Sequence, residues 1–136
     1  MGVALYLENV RCGFPSPATD YLEDEIDLQK FLIPRPSSTF LIRAAGDSMK
    51  GAGILDNAIL IVDRSLTAEH LDIVLAAVQG EFTVKRFVKK PDGAWLYPEN
   101  NAYRPLRIDV LEDVLVWGIV TYFINQARKR AENSVI

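Results

Sequence analysis

Few residues of this chain can do covalent chemistry. Ser48 stands in AAGDSMKGAG, flanked by Gly46 and Gly51 and preceded by a run of strand-forming residues. A serine there sits on a turn sharp enough to hold its hydroxyl outward, with backbone N–H groups beside it. The same composition suits a purely structural turn at a strand end. Lys85 stands in EFTVKRFV, whose alternation puts Thr83, Lys85 and Phe87 on one face and Phe82, Val84, Arg86 and Val88 on the other. Whichever face is buried, a cation joins it. Two readings of Lys85 stay open: an ammonium that snorkels to water, or an amine kept neutral by apolar surroundings and able to take a proton. The second is within energetic reach. Deprotonating a lysine of ordinary pKa about 10.4 at pH 7 costs roughly 4.6 kcal/mol, and full burial lowers a lysine pKa by about 3–5 units.

Other chemistries are poorly supplied. The chain has one His and one Cys. A Ser/His/Asp triad would have to use His70, and a thiol peptidase would have to pair Cys12 with it, yet neither has supporting local sequence. His70, in TAEHLD, reads as an exposed or capping turn residue. One Cys with one His cannot complete a structural zinc site, and a lone Cys12 forms no internal disulfide. No metal and no cofactor are expected.

The elements that must position Ser48 and Lys85 come from a chain of 136 residues, long enough for one core but not two. Its formal net charge of −3 gives no broad positive field for nucleic acid, so direct DNA binding is not expected. The apolar stretch Val114–Ile124 has eleven residues, about half a membrane span. The start, MGVALYLENVRCG, carries Glu8 and no basic stretch, so it does not read as a signal peptide, and Tyr6 stands where a myristoylation motif needs Ser or Thr. A cytoplasmic protein is expected.

Three segments are expected: an N-terminal arm over 1–14, a domain over 15–126 and a polar tail over 127–136 with Arg128, Lys129 and Arg130. Pro15 and Pro17 forbid regular pairing just after the arm. Asp20 and Glu23 form a capping-box-like pair, and the apolar spacing that follows predicts a helix over Asp20–Phe31, stopped by Pro34 and Pro36. Its charges Glu23, Asp24, Glu25 and Asp27 read as a solvated face. From Ser38 the texture is that of strands and turns. Strands are predicted at Thr39–Ala44, Ala58–Asp63, Ile73–Val78, Glu81–Val88, Ala94–Tyr97 and Val114–Ile124, with a hairpin at Gly80 and a turn at Pro91-Asp92-Gly93. Trp117, Tyr122 and Phe123 make the last strand either a packed core element or an interface.

The strings AAGDSMKGAGILDNAILIVD, LTAEHLDIVLAAVQGEFTVKRF and LYPENNAYRPLRI resemble the self-cleaving serine peptidases of the LexA/UmuD type, most closely the UmuD-like subunits of mutagenic DNA polymerases. The resemblance runs from Cys12 to about Ile124. It rests on three elements in order: a Cys-Gly or Ala-Gly bond in an arm, a Gly-Asp-Ser-Met-like turn, and a strand lysine. Here Cys12 adjoins Gly13, Ser48 lies 36 residues beyond Cys12, and Lys85 lies 37 beyond Ser48.

The resemblance implies a mainly β fold, the LexA/UmuD-like C-terminal peptidase fold of twisted antiparallel sheets with a short N-terminal helix and a flexible arm. It implies Ser48 as nucleophile, Lys85 as general base, the backbone N–H groups of Asp47 and Ser48 as oxyanion hole, and Cys12-Gly13 as the scissile bond. It further implies a homodimer, stimulation by a RecA filament on single-stranded DNA, and a processed form that serves a Y-family translesion polymerase of UmuC type. Two departures stand out: the arm before the bond is short for a UmuD protein, and no helix-turn-helix precedes it, so a DNA-binding repressor is not expected. The rival readings are a dimeric polymerase-interaction module with an idle dyad, and a signal-peptidase-like enzyme, against which the absent membrane anchor and the internal Cys12-Gly13 bond argue.

Overall fold

Val, Ile, Leu and Phe recur after residue 38 at the two-residue period of a strand, and they fold as strands. The computed structural model describes residues 3–6, 22–108 and 114–128. Two units are separable, Met1–Pro34 and Arg35–Ile136. In the first, β1 (Val3–Tyr6) pairs antiparallel with β2 (Leu22–Ile26), and α1 (Leu28–Leu32) follows.

The helix predicted over Asp20–Phe31 is therefore corrected: residues 22–26 are strand, and the helix starts only at Leu28. The ladder that Val3–Tyr6 offers satisfies the backbone of 22–26, and pairing of this kind overrides a weak helical pattern. The cap is Asp27, whose side chain accepts the Lys30 backbone N–H at 3.2 Å. Asp20 lies outside the described residues, as do Cys12, Gly13 and residues 129–136 of the tail. Of the segment read as an arm, residues 3–6 form a strand.

The second unit is one antiparallel sheet of β3 (Thr39–Arg43), β4 (Ile59–Asp63), β5 (Ile73–Val78), β6 (Glu81–Lys90), β7 (Gly93–Tyr97), β8 (Leu106–Arg107) and β9 (Val114–Ile124). Their order is β3-β4-β9-β5-β6-β7-β8. Six match the predicted strands to within two residues at each end, and β8 was not foreseen. Gln79 and Gly80 join β5 to β6 with φ of 51° and 82°, the left-handed pair that a two-residue hairpin requires. Among the described residues no helix is long and apolar enough to cross a membrane.

Alternation along the strands feeds two apolar clusters. Leu75 of β5 joins Leu60, Val62 and Val120 in one, while its neighbours Val74 and Ala76 join Phe87, Leu96 and Ile119 in the other. Met49 and Ile54 also belong to the first, so the turn that carries Ser48 is nailed to the sheet by its own apolar side chains. β9 lies inside the sheet between β4 and β5, and Trp117 and Phe123 pack on the first cluster, while Tyr122 is exposed. Trp117 sits 5.0 Å from Phe40 and 5.7 Å from Phe82, ring centre to ring centre.

One buried charge closes the sheet at the end of β4. Asp63 is 2% exposed. It accepts from Arg35 Nε at 2.6 Å, Ser38 Oγ at 3.0 Å, and the Ser65 backbone N–H and hydroxyl at 2.8 and 2.6 Å. Burial alone would push its pKa up, but the bonds from Ser65, Arg35 and Ser38 together hold the carboxyl far below the usual carboxylate range. A lowered carboxylate pKa adds stability that is present above its unfolded value and lost only as pH falls through the folded one. Asp63→Ala is expected to cost about 2–4 kcal/mol, since two hydroxyls and a guanidinium lose their acceptor. The urea midpoint at neutral pH checks it, and a shift equivalent to under about 1 kcal/mol would mean the cluster is only ornamental.

Candidate active site

The nucleophile turn begins where β3 runs out. Ala44 still exchanges bonds with the β4 side, its N–H donating to Ala58 O and its carbonyl accepting from Asn57 N–H. The chain then reverses at Gly46, φ 87°, whose N–H donates to Asp56 Oδ1 at 2.8 Å. Ser48 follows half-buried, Met49 drops into the core at 3% exposure, and a single 3₁₀ turn, Lys50–Ala52, returns the chain. An apolar anchor directly after the serine fixes where its hydroxyl can point.

From across the sheet comes Lys85 of β6. Its Nζ lies 3.1 Å from Ser48 Oγ, 2.6 Å from Thr83 Oγ1 and 3.1 Å from the Val84 carbonyl oxygen. Among the described residues no carboxylate pairs with Lys85 to steady a charge on it. Burial pushes its pKa down from the ordinary lysine value. Nζ donates to Thr83 Oγ1, Val84 O and Ser48 Oγ as an ammonium; on losing one proton it keeps two N–H groups for two of these oxygens and gains a lone pair that can accept from the Ser48 hydroxyl. Thr83 was seen to share a face with Lys85 but not to act; its spacing of two along one strand was the available signal.

The segment 98–103 packs against the turn. Asn100 Nδ2 donates to the Asp47 carbonyl oxygen at 2.9 Å, and Tyr103 Oη donates to Asp47 Oδ1 at 2.8 Å. The Gly51 N–H donates to Glu99 O at 2.8 Å. A Cβ on Gly51 would stand 2.5 Å from that oxygen, so only glycine allows the approach. Sequence reasoning missed these bracing residues, although they lie in the string LYPENNAYRPLRI. Among the described residues the backbone N–H groups of Asp47 and Ser48 have no acceptor, the condition an oxyanion hole needs before substrate arrives.

A cavity of about 190 Å³ opens beside Ser48 between the end of β3 and the start of β6, walled by Ile42, Ala44, Gly46, Met49, Phe82 and Val84. Arg43, Ser48 and Thr83 add polar atoms to these apolar walls. Phe82 stands at the rim, 61% exposed. His70 takes no part: it is exposed, and its Nδ1 accepts the Lys89 backbone N–H at 2.9 Å. Among the described residues no three His, Cys, Asp or Glu side chains are grouped to hold a metal. The structure thus brings Ser48, Lys85 and Asp47 together, while Cys12 and Gly13 lie outside the described residues.

An antiparallel sheet thus brings a glycine-turn serine to a half-buried lysine that no carboxylate faces among the described residues. The chain belongs to the Peptidase S24-like family, whose pattern matches residues 4–121, and within it to the UmuD-like members. It is 42% identical to Protein ImpA of Salmonella typhimurium over 125 residues, 92% of this chain and 85% of that one. It is 45% identical to Protein SamA of Salmonella typhimurium strain LT2 over 124 residues, 91% and 86% of the two. A LexA repressor of Caldicellulosiruptor saccharolyticus is 43% identical over 117 residues, 86% of this chain and 56% of the repressor.

Proposed function

We propose that the chain cleaves itself between Cys12 and Gly13 with a Ser48/Lys85 dyad, and that the shortened form serves a translesion DNA polymerase in the response to DNA damage. The observation that carries the reading is the 3.1 Å contact between Ser48 Oγ and an amine whose pKa burial has lowered. Neutral Lys85 takes the Ser48 proton as Oγ attacks the Cys12 carbonyl carbon. The oxyanion that forms is held by the N–H groups of Asp47 and Ser48. The Lys85 ammonium then gives its proton to the Gly13 nitrogen as the C–N bond breaks, leaving an ester of Ser48 with Cys12. Water, deprotonated by Lys85, hydrolyses that ester, frees residues 1–12 with a new carboxylate on Cys12, and restores the serine.

The cavity of about 190 Å³ beside Ser48 has room for a small residue such as Cys12 on the acyl side, and Gly13 lets the chain approach closely. Because enzyme and substrate share one chain, effective molarities of about 10⁵–10⁸ M are open to the reaction, so it must be restrained. A lysine that is neutral only when covered by apolar surface is one restraint, and the arm's freedom to lie elsewhere is the other. The family likeness supports a RecA filament on single-stranded DNA as the trigger, a Y-family polymerase subunit as partner, and a homodimer as the working form.

Intact mass of the purified chain tests the proposal, after incubation at alkaline pH and, separately, with RecA, single-stranded DNA and nucleotide. The expected product begins at Gly13. A chain that stays whole under both conditions rejects the peptidase and leaves only a binding module with an idle dyad.

A further inference from the structure

Ser48 and Lys85 come from opposite halves of the sheet, and a third segment ties them together. We infer that Asn100 and Tyr103 are positioning residues, which lock the Asp47–Ser48 peptide so that the Ser48 N–H faces the reacting carbonyl. The inference rests on the dyad reading above and goes beyond it by naming what sets the oxyanion donor.

The argument is one of peptide geometry. A trans peptide is planar, so the carbonyl of Asp47 and the N–H of Ser48 point in opposite directions from one rigid plate. The Asp47 oxygen is held from behind by Asn100 Nδ2 at 2.9 Å and by the Lys50 N–H at 3.1 Å. With the oxygen held by these two donors, the Ser48 N–H points away from them and is free to face a substrate carbonyl. A flip of this plate would turn the carbonyl into the site and would break both bonds. Tyr103 adds a second hold on the same residue through Asp47 Oδ1, and that bond to a carboxylate pushes the phenol's pKa up, which keeps the donor protonated.

The brace is itself anchored to the strand that carries the base. Glu99 O accepts the Gly51 N–H at 2.8 Å, and Glu99 Oε1 meets Arg86 Nε at 2.9 Å, with Arg86 next to Lys85 on β6. Asn100 is set by its own loop, its Oδ1 accepting the Ala102 N–H at 3.0 Å. One amide thus reads the loop with its oxygen and the nucleophile turn with its nitrogen.

That division of labour supplies the test. Asn100→Asp keeps an acceptor for Ala102 but presents an oxygen, not a donor, to the Asp47 carbonyl. Tyr103→Phe removes only the hydroxyl. Self-cleavage of the full chain is followed against pH, at a temperature well below each variant's melting point, with Ser48→Ala in parallel. Losing an oxyanion donor outright costs about 10²–10³ in rate, so a misaimed one is expected to lower the plateau rate of Asn100→Asp by about 10–100-fold, and that of Tyr103→Phe by about threefold or more. Plateau rates matching the wild type in whichever of the two variants folds overturn the inference while leaving the dyad intact. A wild type that never cleaves, or a Ser48→Ala chain that does, overturns the dyad reading and the inference with it.

Discussion

Ser48→Ala is expected to remain a single intact chain under every condition that shortens the wild type, a loss on the scale of the roughly 10⁶-fold that removal of the serine nucleophile costs a Ser/His/Asp peptidase. The Lys85 amine is 3.1 Å from Ser48 Oγ, and without that oxygen it keeps within reach the Thr83 hydroxyl, which sits on the lysine's own strand and not on the glycine turn, and water, which lacks the orientation that makes the intramolecular reaction fast. The variant is expected to fold normally, because the lost hydroxyl bonds only to Lys85 among the described residues, and Lys85 keeps Thr83 Oγ1 and Val84 O. Intact mass and the urea midpoint, measured on the same preparation, separate loss of chemistry from loss of fold. Cleavage of Ser48→Ala at the same bond, at more than about a hundredth of the wild-type rate, would place the nucleophile elsewhere.

Much of the sheet was legible because its two-residue period is written in each strand's own residues. Val74, Leu75 and Ala76 already say that neighbours face opposite sides, and Gly80 and Pro91 mark where strands must turn. The N-terminal unit was misread for the opposite reason. Leu22–Ile26 has too few residues and too many acids to declare a period, and its state is decided by Val3–Tyr6, far away in sequence. The dyad was half legible. Glycines around Ser48 and alternation around Lys85 marked two residues with chemical promise, but whether a strand lysine is wet or dry depends on what covers it. Asn100 and Tyr103 were invisible for the same physical reason: their bonds to Asp47 span 53 and 56 residues of sequence. No local pattern records such a contact.

The rate of self-cleavage is expected to rise tenfold per pH unit below the lowered pKa of Lys85 and to level off above it. The sign follows from burial, which disfavours the ammonium and so pushes the lysine's pKa down. Between that lowered value and the ordinary lysine pKa, the folded chain binds fewer protons at this site than the unfolded chain, so stability also rises with pH through the window. Activity and stability therefore climb together, which an incidental acceleration by hydroxide would not produce. Lys85→Met removes the base while keeping a side chain of similar length in the same apolar surroundings. It is expected to abolish cleavage and yet to be more stable than the wild type at neutral pH, with the gap closing as the pH approaches about 10. Lys85→Arg should also be inactive, because a guanidinium stays charged throughout this range. Initial rates and urea midpoints taken together from about pH 6 to pH 10 decide the matter. A flat rate profile, or a Lys85→Met chain that still cleaves, would show that the contact with Ser48 is structural. The wild type's lower stability at neutral pH is then the expected cost of holding an uncharged lysine against the nucleophile, and the steepness of the pH profile measures how strongly that device restrains the chain from cutting itself early.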